Sequence, residues 1–354
     1  QAAFEHTMSL TRCEPELPER WKALERAASQ LGRYPEAVAL YGELLDEGRA
    51  GLSLALRAAT LCETQLSDTS LAAEFYERVL DLEIGHSAAE EALERIYPSL
   101  RAWDSLVALH ERQLDTATTD TARVALLDRL YEIHNVERGD SESASNTLCR
   151  RLELVPDHRP TYEALLAAYL DSERHEEVEA LYRRWLDVAE GEDVAHTRIA
   201  LARFLATRQD DITAAIFELE TVLADTPGFT AALELLESMF EDGGEHTAEV
   251  AEILDRQYDE NTAFESRENV LLARIGRAVE DDDEALSLQL NRRLGQLYRD
   301  VAEDDEAAFA AFAAAVRLAP GDEELRAELE VIATRSELFV QLDACLSEAL
   351  GGEL

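Results

Sequence analysis

The side chains most able to do chemistry are scattered through this chain without the spacing that chemistry needs. The eight histidines, His6, His86, His110, His134, His158, His175, His196 and His246, include no H-E-x-x-H and no pair at i, i+4. Zinc held from one helix face needs such a pair, so surface or interhelical packing is their expected role. Cys13, Cys62, Cys149 and Cys345 form no C-x-x-C and read as small core hydrophobes rather than metal or redox ligands. The run Glu280, Asp281, Asp282, Asp283, Glu284 lacks the glycine and the alternating ligand order of a calcium loop, which makes it a solvated turn. No G-x-x-x-x-G-K, G-x-G-x-x-G or G-x-S-x-G sequence offers a phosphate cradle or a nucleophile elbow. With 75 acidic residues, any two could be nominated as acid and base, so their closeness carries no information. The expectation is a protein that is not an enzyme and uses no cofactor and no metal.

Charge sorts the remaining partners. The 75 acids face 33 cations, a formal net charge of -42, and Lys22 is the single lysine among those cations. Arginine usage with abundant acid fits a high-GC genome or a salt-rich setting, where screening lets dense carboxylates coexist. Nucleic acid and anionic lipid are repelled by such a field. A protein or peptide partner, basic in character, is the expectation. The longest apolar run, AAFAAFAAAV at 307–316, falls short of the roughly 18 residues a membrane-spanning helix needs, so no membrane insertion is expected. Gln1 stands where Met would open a gene, which leaves room for a removed leader or an upstream region. A cytoplasmic setting is expected, with an extracytoplasmic one as the alternative.

The elements that must position any binding residue are helices. Alanine and leucine outweigh β-branched types, and only 15 Gly and 8 Pro interrupt the chain, too few for the turns of a sandwich or barrel. Apolar residues recur at helical spacing, as in Leu126, Leu127, Leu130, Tyr131 and Ile133. Landmarks repeat at about twice 34–36 residues: Pro156 and Pro227 are 71 apart, and Asp46, Asp115, Asp187 and Asp259 are separated by 69, 72 and 72. Pro227 and Pro320 are 93 apart, which implies about 22 inserted residues near 262–285. A period of this length marks stacked helix pairs, each unable to bury its apolar stripe alone. The expected organisation is an undetermined N-terminal segment at 1–18, helical repeats at 19–261, an extra helix or hairpin at 262–288, and further repeats at 289–354.

The pairs resemble the tetratricopeptide repeat. Leu294, Gly295, Tyr298, Ala308, Phe312, Ala315 and Pro320 fill that family's pattern if one residue is added in the turn. Trp21, Leu24, Ala28, Ala37 and Tyr41 match a second time, with Glu25 where the family has glycine. The resemblance implies an all-α fold, a right-handed superhelical array of antiparallel helix pairs. It also implies a scaffold whose groove, lined by the first helix of each pair, takes a peptide or protein. Arg129, Arg203, Arg292 and Arg299 are the groove candidates, each able to pair with a neighbouring acid or to hold a partner's carboxylate. The alternatives are a structural subunit of a larger assembly and the regulatory arm of a larger enzyme.

Overall fold

The computed structural model describes residues 1–259, 261–349 and 351, and among them there are helices and no strand. Two compact units divide the chain, 1–172 and 173–354. The first holds α1 (Ala2–Cys13), α2 (Pro18–Leu31), α3 (Tyr34–Asp46), α4 (Leu52–Leu61), α5 (Thr69–Leu82), α6 (Ser87–Leu100), α7 (Trp103–Thr116), α8 (Asp120–Glu132), α9 (Ser141–Leu154) and α10 (Arg159–Asp171). The second holds α11 (His175–Leu186), α12 (Glu192–Phe204), α13 (Ile212–Asp225), α14 (Thr230–Asp242), α15 (Thr247–Gln257), α16 (Phe264–Glu280), α17 (Glu284–Leu297), α18 (Asp305–Leu318), α19 (Glu323–Arg335) and α20 (Phe339–Ala349). Within each unit helices pack mainly on their neighbours in chain order, with next-but-one contacts such as α1–α3 and α18–α20. This is the contact pattern of an all-α array of stacked pairs.

Local chemistry explains where the helices begin and stop. Pro18, Pro35 and Pro160 stand in the first turns of α2, α3 and α10, where the missing N–H is no loss. Gly32 closes α2 in the left-handed region at φ 67°. Pro156, Pro227 and Pro320 each come two residues after the last residue of α9, α13 and α18. The segment at 1–18, unassigned from sequence, forms α1 and buries Phe4 completely.

The first helix of every second pair ends differently, in a π-helical turn: Cys62–Leu66, Ile133–Glu137, Leu205–Gln209 and Tyr298–Ala302. A wide hydrogen bond closes each turn, from the N–H of Asp68, Asp140, Asp211 and Asp304 to the carbonyl six residues earlier, at 2.8–3.1 Å. The residue before that aspartate, Ser67, Gly139, Asp210 or Glu303, is left-handed. The aspartate then caps the next helix through its side chain, as Asp211 accepts from the Ala214 N–H at 2.9 Å. The extra residue of the wide turn is the one the resemblance had to add between Tyr298 and Ala308. Asp211→Ala should lower stability by about 1 kcal/mol, read by urea unfolding, because α13 loses its only side-chain cap.

Candidate interaction face

In the first unit the even-numbered helices α2, α4, α6 and α8 are the first members of their pairs, and arginines join them in sequence. Arg57 on α4 reaches back to Glu25 on α2 with a fork, Nε to Oε1 at 2.8 Å and Nη2 to Oε2. Arg95 on α6 pairs with Glu63 in the π-helical turn that follows α4. Arg129 on α8 pairs with Glu94 on α6 at 3.3 Å. The partners lie 32, 32 and 35 residues apart, about one pair of helices, so each rung ties one pair to the next.

The rungs differ in depth. Glu25 is 7% exposed and sits under Arg57 and the Tyr41 hydroxyl, which approaches its carboxylate at 3.5 Å. Burial raises the Tyr41 phenol well above its usual range, with the Glu25 charge adding to it. The hydrogen bonds that Arg57 donates to Glu25 hold its guanidinium more firmly protonated. Arg95 holds the Glu63 carboxyl below its ordinary value, aided by the Tyr76 hydroxyl, which donates to Glu63 at 3.1 Å. Glu94 is the most open of the three acids, and it also accepts from the Gln113 amide at 3.1 Å.

Beside the first rung lies a cleft of about 350 Å³ between α2 and α4, whose walls include Trp21, Lys22, Leu56 and Arg57. The Trp21 indole donates to the Pro15 carbonyl at 2.7 Å and is nearly buried, so it fixes α2 rather than forming an open platform. Lys22 and the outer edge of Arg57 are the cations at this opening.

Arg203, on α12, is exposed and has no carboxylate within ion-pair distance among the described residues. Arg292, on α17, lies 3.4 Å from Glu324 and 3.8 Å from Glu328 of α19. Arg299 forks onto Asp300 at 2.7 and 2.9 Å and comes within 3.8 Å of Glu328. Glu328 therefore brings Arg292 and Arg299 together, and neither is left with its full set of donors.

No group of three or more His, Cys, Asp or Glu that could hold a metal ion occurs among the described residues. The acidic run at 280–284 is a turn in which Asp283 caps α17 and Asp281 accepts from Arg277 Nε at 2.7 Å. Burial pushes the Cys62 thiol up to about 12, so it is inert at neutral pH. Cys345 is also buried, but Cys149 is half-buried and Cys13 exposed, so core packing accounts for only two of the four. No described helix is long and apolar enough to cross a membrane.

The arginine ladder escaped sequence reasoning except for Arg129. Its signal was present as Glu and Arg one repeat apart on first helices, visible only once the helices are aligned.

The tetratricopeptide repeat family model matches residues 21–53, covering α2, α3 and the start of α4, and residues 91–124, covering most of α6, α7 and the start of α8. No curated protein matches the chain. Among solved structures, YrrB, described as a tetratricopeptide protein with an unusual peptide-binding site, aligns at 14% identity and TM-score 0.26, over 56% of this chain and 97% of its own. Naa15, solved with Naa10 and bound to HypK-THB, aligns at 16% identity and TM-score 0.27, over 97% of this chain and 65% of its own. The C-terminal part of a tetratricopeptide-containing protein from Cytophaga hutchinsonii aligns at 14% identity and TM-score 0.27, over 85% and 96%.

Proposed function

We propose that this tetratricopeptide-like repeat protein is a non-enzymatic scaffold that binds a protein or peptide along the first helices of its pairs. The observation that carries the proposal is the pairing of two matched repeats with the cleft between α2 and α4, where an apolar wall adjoins Lys22 and Arg57. Around it the net charge of -42 supports a partner with basic flanks, steered by the field before it docks. Arg203 is the groove candidate we assign to ligand, because the other three already serve acids of this chain.

The test is retention of a partner, or of a Lys/Arg-rich peptide, at rising salt. Affinity should fall about tenfold or more between ~0.05 M and ~0.5 M NaCl as screening shortens the reach of the field. Retention indifferent to salt counts against the acidic surface, while Lys22→Ala tests the α2–α4 cleft and Arg203→Ala tests the arginine of α12.

A structural subunit of an assembly is the second reading, and α20 favours it. Phe339 and Val340 are 55% and 82% exposed there, and Val331 on α19 is 65% exposed. Light scattering separates the readings, since a monodisperse monomer disfavours assembly through this face.

A further inference from the structure

A cleft of about 510 Å³ opens in the second unit where α15, α16 and α17 meet, and Asp255, Asp300, Arg267 and Arg293 are the charged groups of its lining. Asp255 at the end of α15 is 8% exposed in its side chain and is shared by two guanidiniums. Arg274 of α16 pairs with it from behind, and Arg293 of α17 forks onto it with both distances 2.7 Å. One carboxylate against two guanidiniums leaves a positive charge unmatched. Arg267 of α16 lines the same cleft, half-buried, with no carboxylate within ion-pair distance among the described residues.

The other acid on the wall, Asp300, is taken by the Arg299 fork, which holds its carboxyl below the ordinary value. At the rim Glu237 accepts the Tyr258 hydroxyl at 2.8 Å. Leu271 and Leu297 are buried in the floor, and Val301, 51% exposed, stands at the mouth. Gln296 adds an amide. A guanidinium at one side of an apolar floor, in a space of small-molecule size, selects an anion with an apolar body.

We propose that this cleft binds a carboxylate carried on an aliphatic or aromatic body, with Arg267 as its principal partner. The site belongs to the second unit and uses none of the residues of the first-helix face of the first, so it stands or falls independently of the scaffold reading. Two sources could present that chemistry, a free organic acid or a glutamate flanked by apolar residues in a partner.

Calorimetric titration of the whole chain tests both sources with hexanoate and 3-phenylpropionate against their amides, and with blocked Leu-Glu-Leu against Leu-Gln-Leu. The acid should bind at least about tenfold more tightly than its amide, and Arg267→Gln should remove that preference. Arg267→Lys, which keeps the charge and loses the fork, should retain part of it. Arg256→Gln, which breaks the outer pair with Glu220, is the control and should change nothing. Binding of free acids alone assigns a small-molecule site, and binding of the peptide alone assigns a partner's acid. Equal binding of acid and amide, unchanged binding in folded Arg267→Gln, or no binding of any probe up to ~10 mM overturns the proposal.

Discussion

Gly295→Ala should destabilise the second unit, although the same change in an exposed helix interior normally stabilises by roughly 0.5–1 kcal/mol. A methyl at Gly295 would lie 2.7–2.9 Å from three atoms of the Phe312 ring, which is fully buried. The ring cannot retreat without displacing α18 from α17, so overpacking of about 1–3 kcal/mol outweighs the propensity gain. For a domain of this size that is a fall of roughly 3–10 °C in the melting temperature. Gly276 supplies the internal reference. It lies in the interior of α16, exposed, and a methyl there would meet nothing within 4 Å. Gly276→Ala should therefore raise stability by about 0.5–1 kcal/mol. Opposite signs from the two substitutions, measured in one urea series, would establish that contact with Phe312 sets the requirement for glycine. Recovery in Gly295→Ala/Phe312→Leu would place the cost in the ring itself. Two stabilising outcomes would remove the close-packing explanation.

Asp255→Asn should be the costliest polar substitution. The amide keeps the shape but not the charge, and it leaves Arg274, whose side chain is 15% exposed, facing Arg293 without an anion between them. Removing one partner of a buried pair costs about 3–5 kcal/mol, and the partial exposure of Arg293 brings the expectation to about 2–4 kcal/mol. Asp300→Asn, at the well-exposed half of its pair with Arg299, should cost no more than about 1 kcal/mol. If urea midpoints for the two variants coincide, Asp255 is not a structural anion.

Much of the fold is legible in the order of residues alone, because it depends on repetition. Apolar spacing around Leu126–Ile133, the prolines two residues beyond α9, α13 and α18, and the 71-residue interval all report helices that stack on neighbours. Gly295 and Phe312 are recognisable as a family pair, and their contact is the reason both are needed. Glu25, standing where that family has glycine, is legible only as a departure. Its role needs Tyr41 and Arg57, which lie 16 and 32 residues away. The Asp255 cluster is harder still. Its arginines come from two later helices, one of them α16, which falls in the stretch that disturbs the repeat spacing. For groove arginines, sequence identifies the helix but not the acid opposite, and Arg292 and Arg299 turn out to share Glu328.

The π-helical terminators also set how this chain could be edited. Their capping aspartates stand at 68, 140, 211 and 304, so the smallest segment that begins and ends on the same backbone conformation holds four helices, not two. Rejoining Ser67 to Asp140 would preserve a left-handed residue followed by a helix-capping carboxylate. Excising a single pair would instead join a wide turn to a helix built for a narrow one. Shortened or lengthened versions should therefore be spliced in steps of about 72 residues, the 68-to-140 interval, and half-steps should fail at the seam.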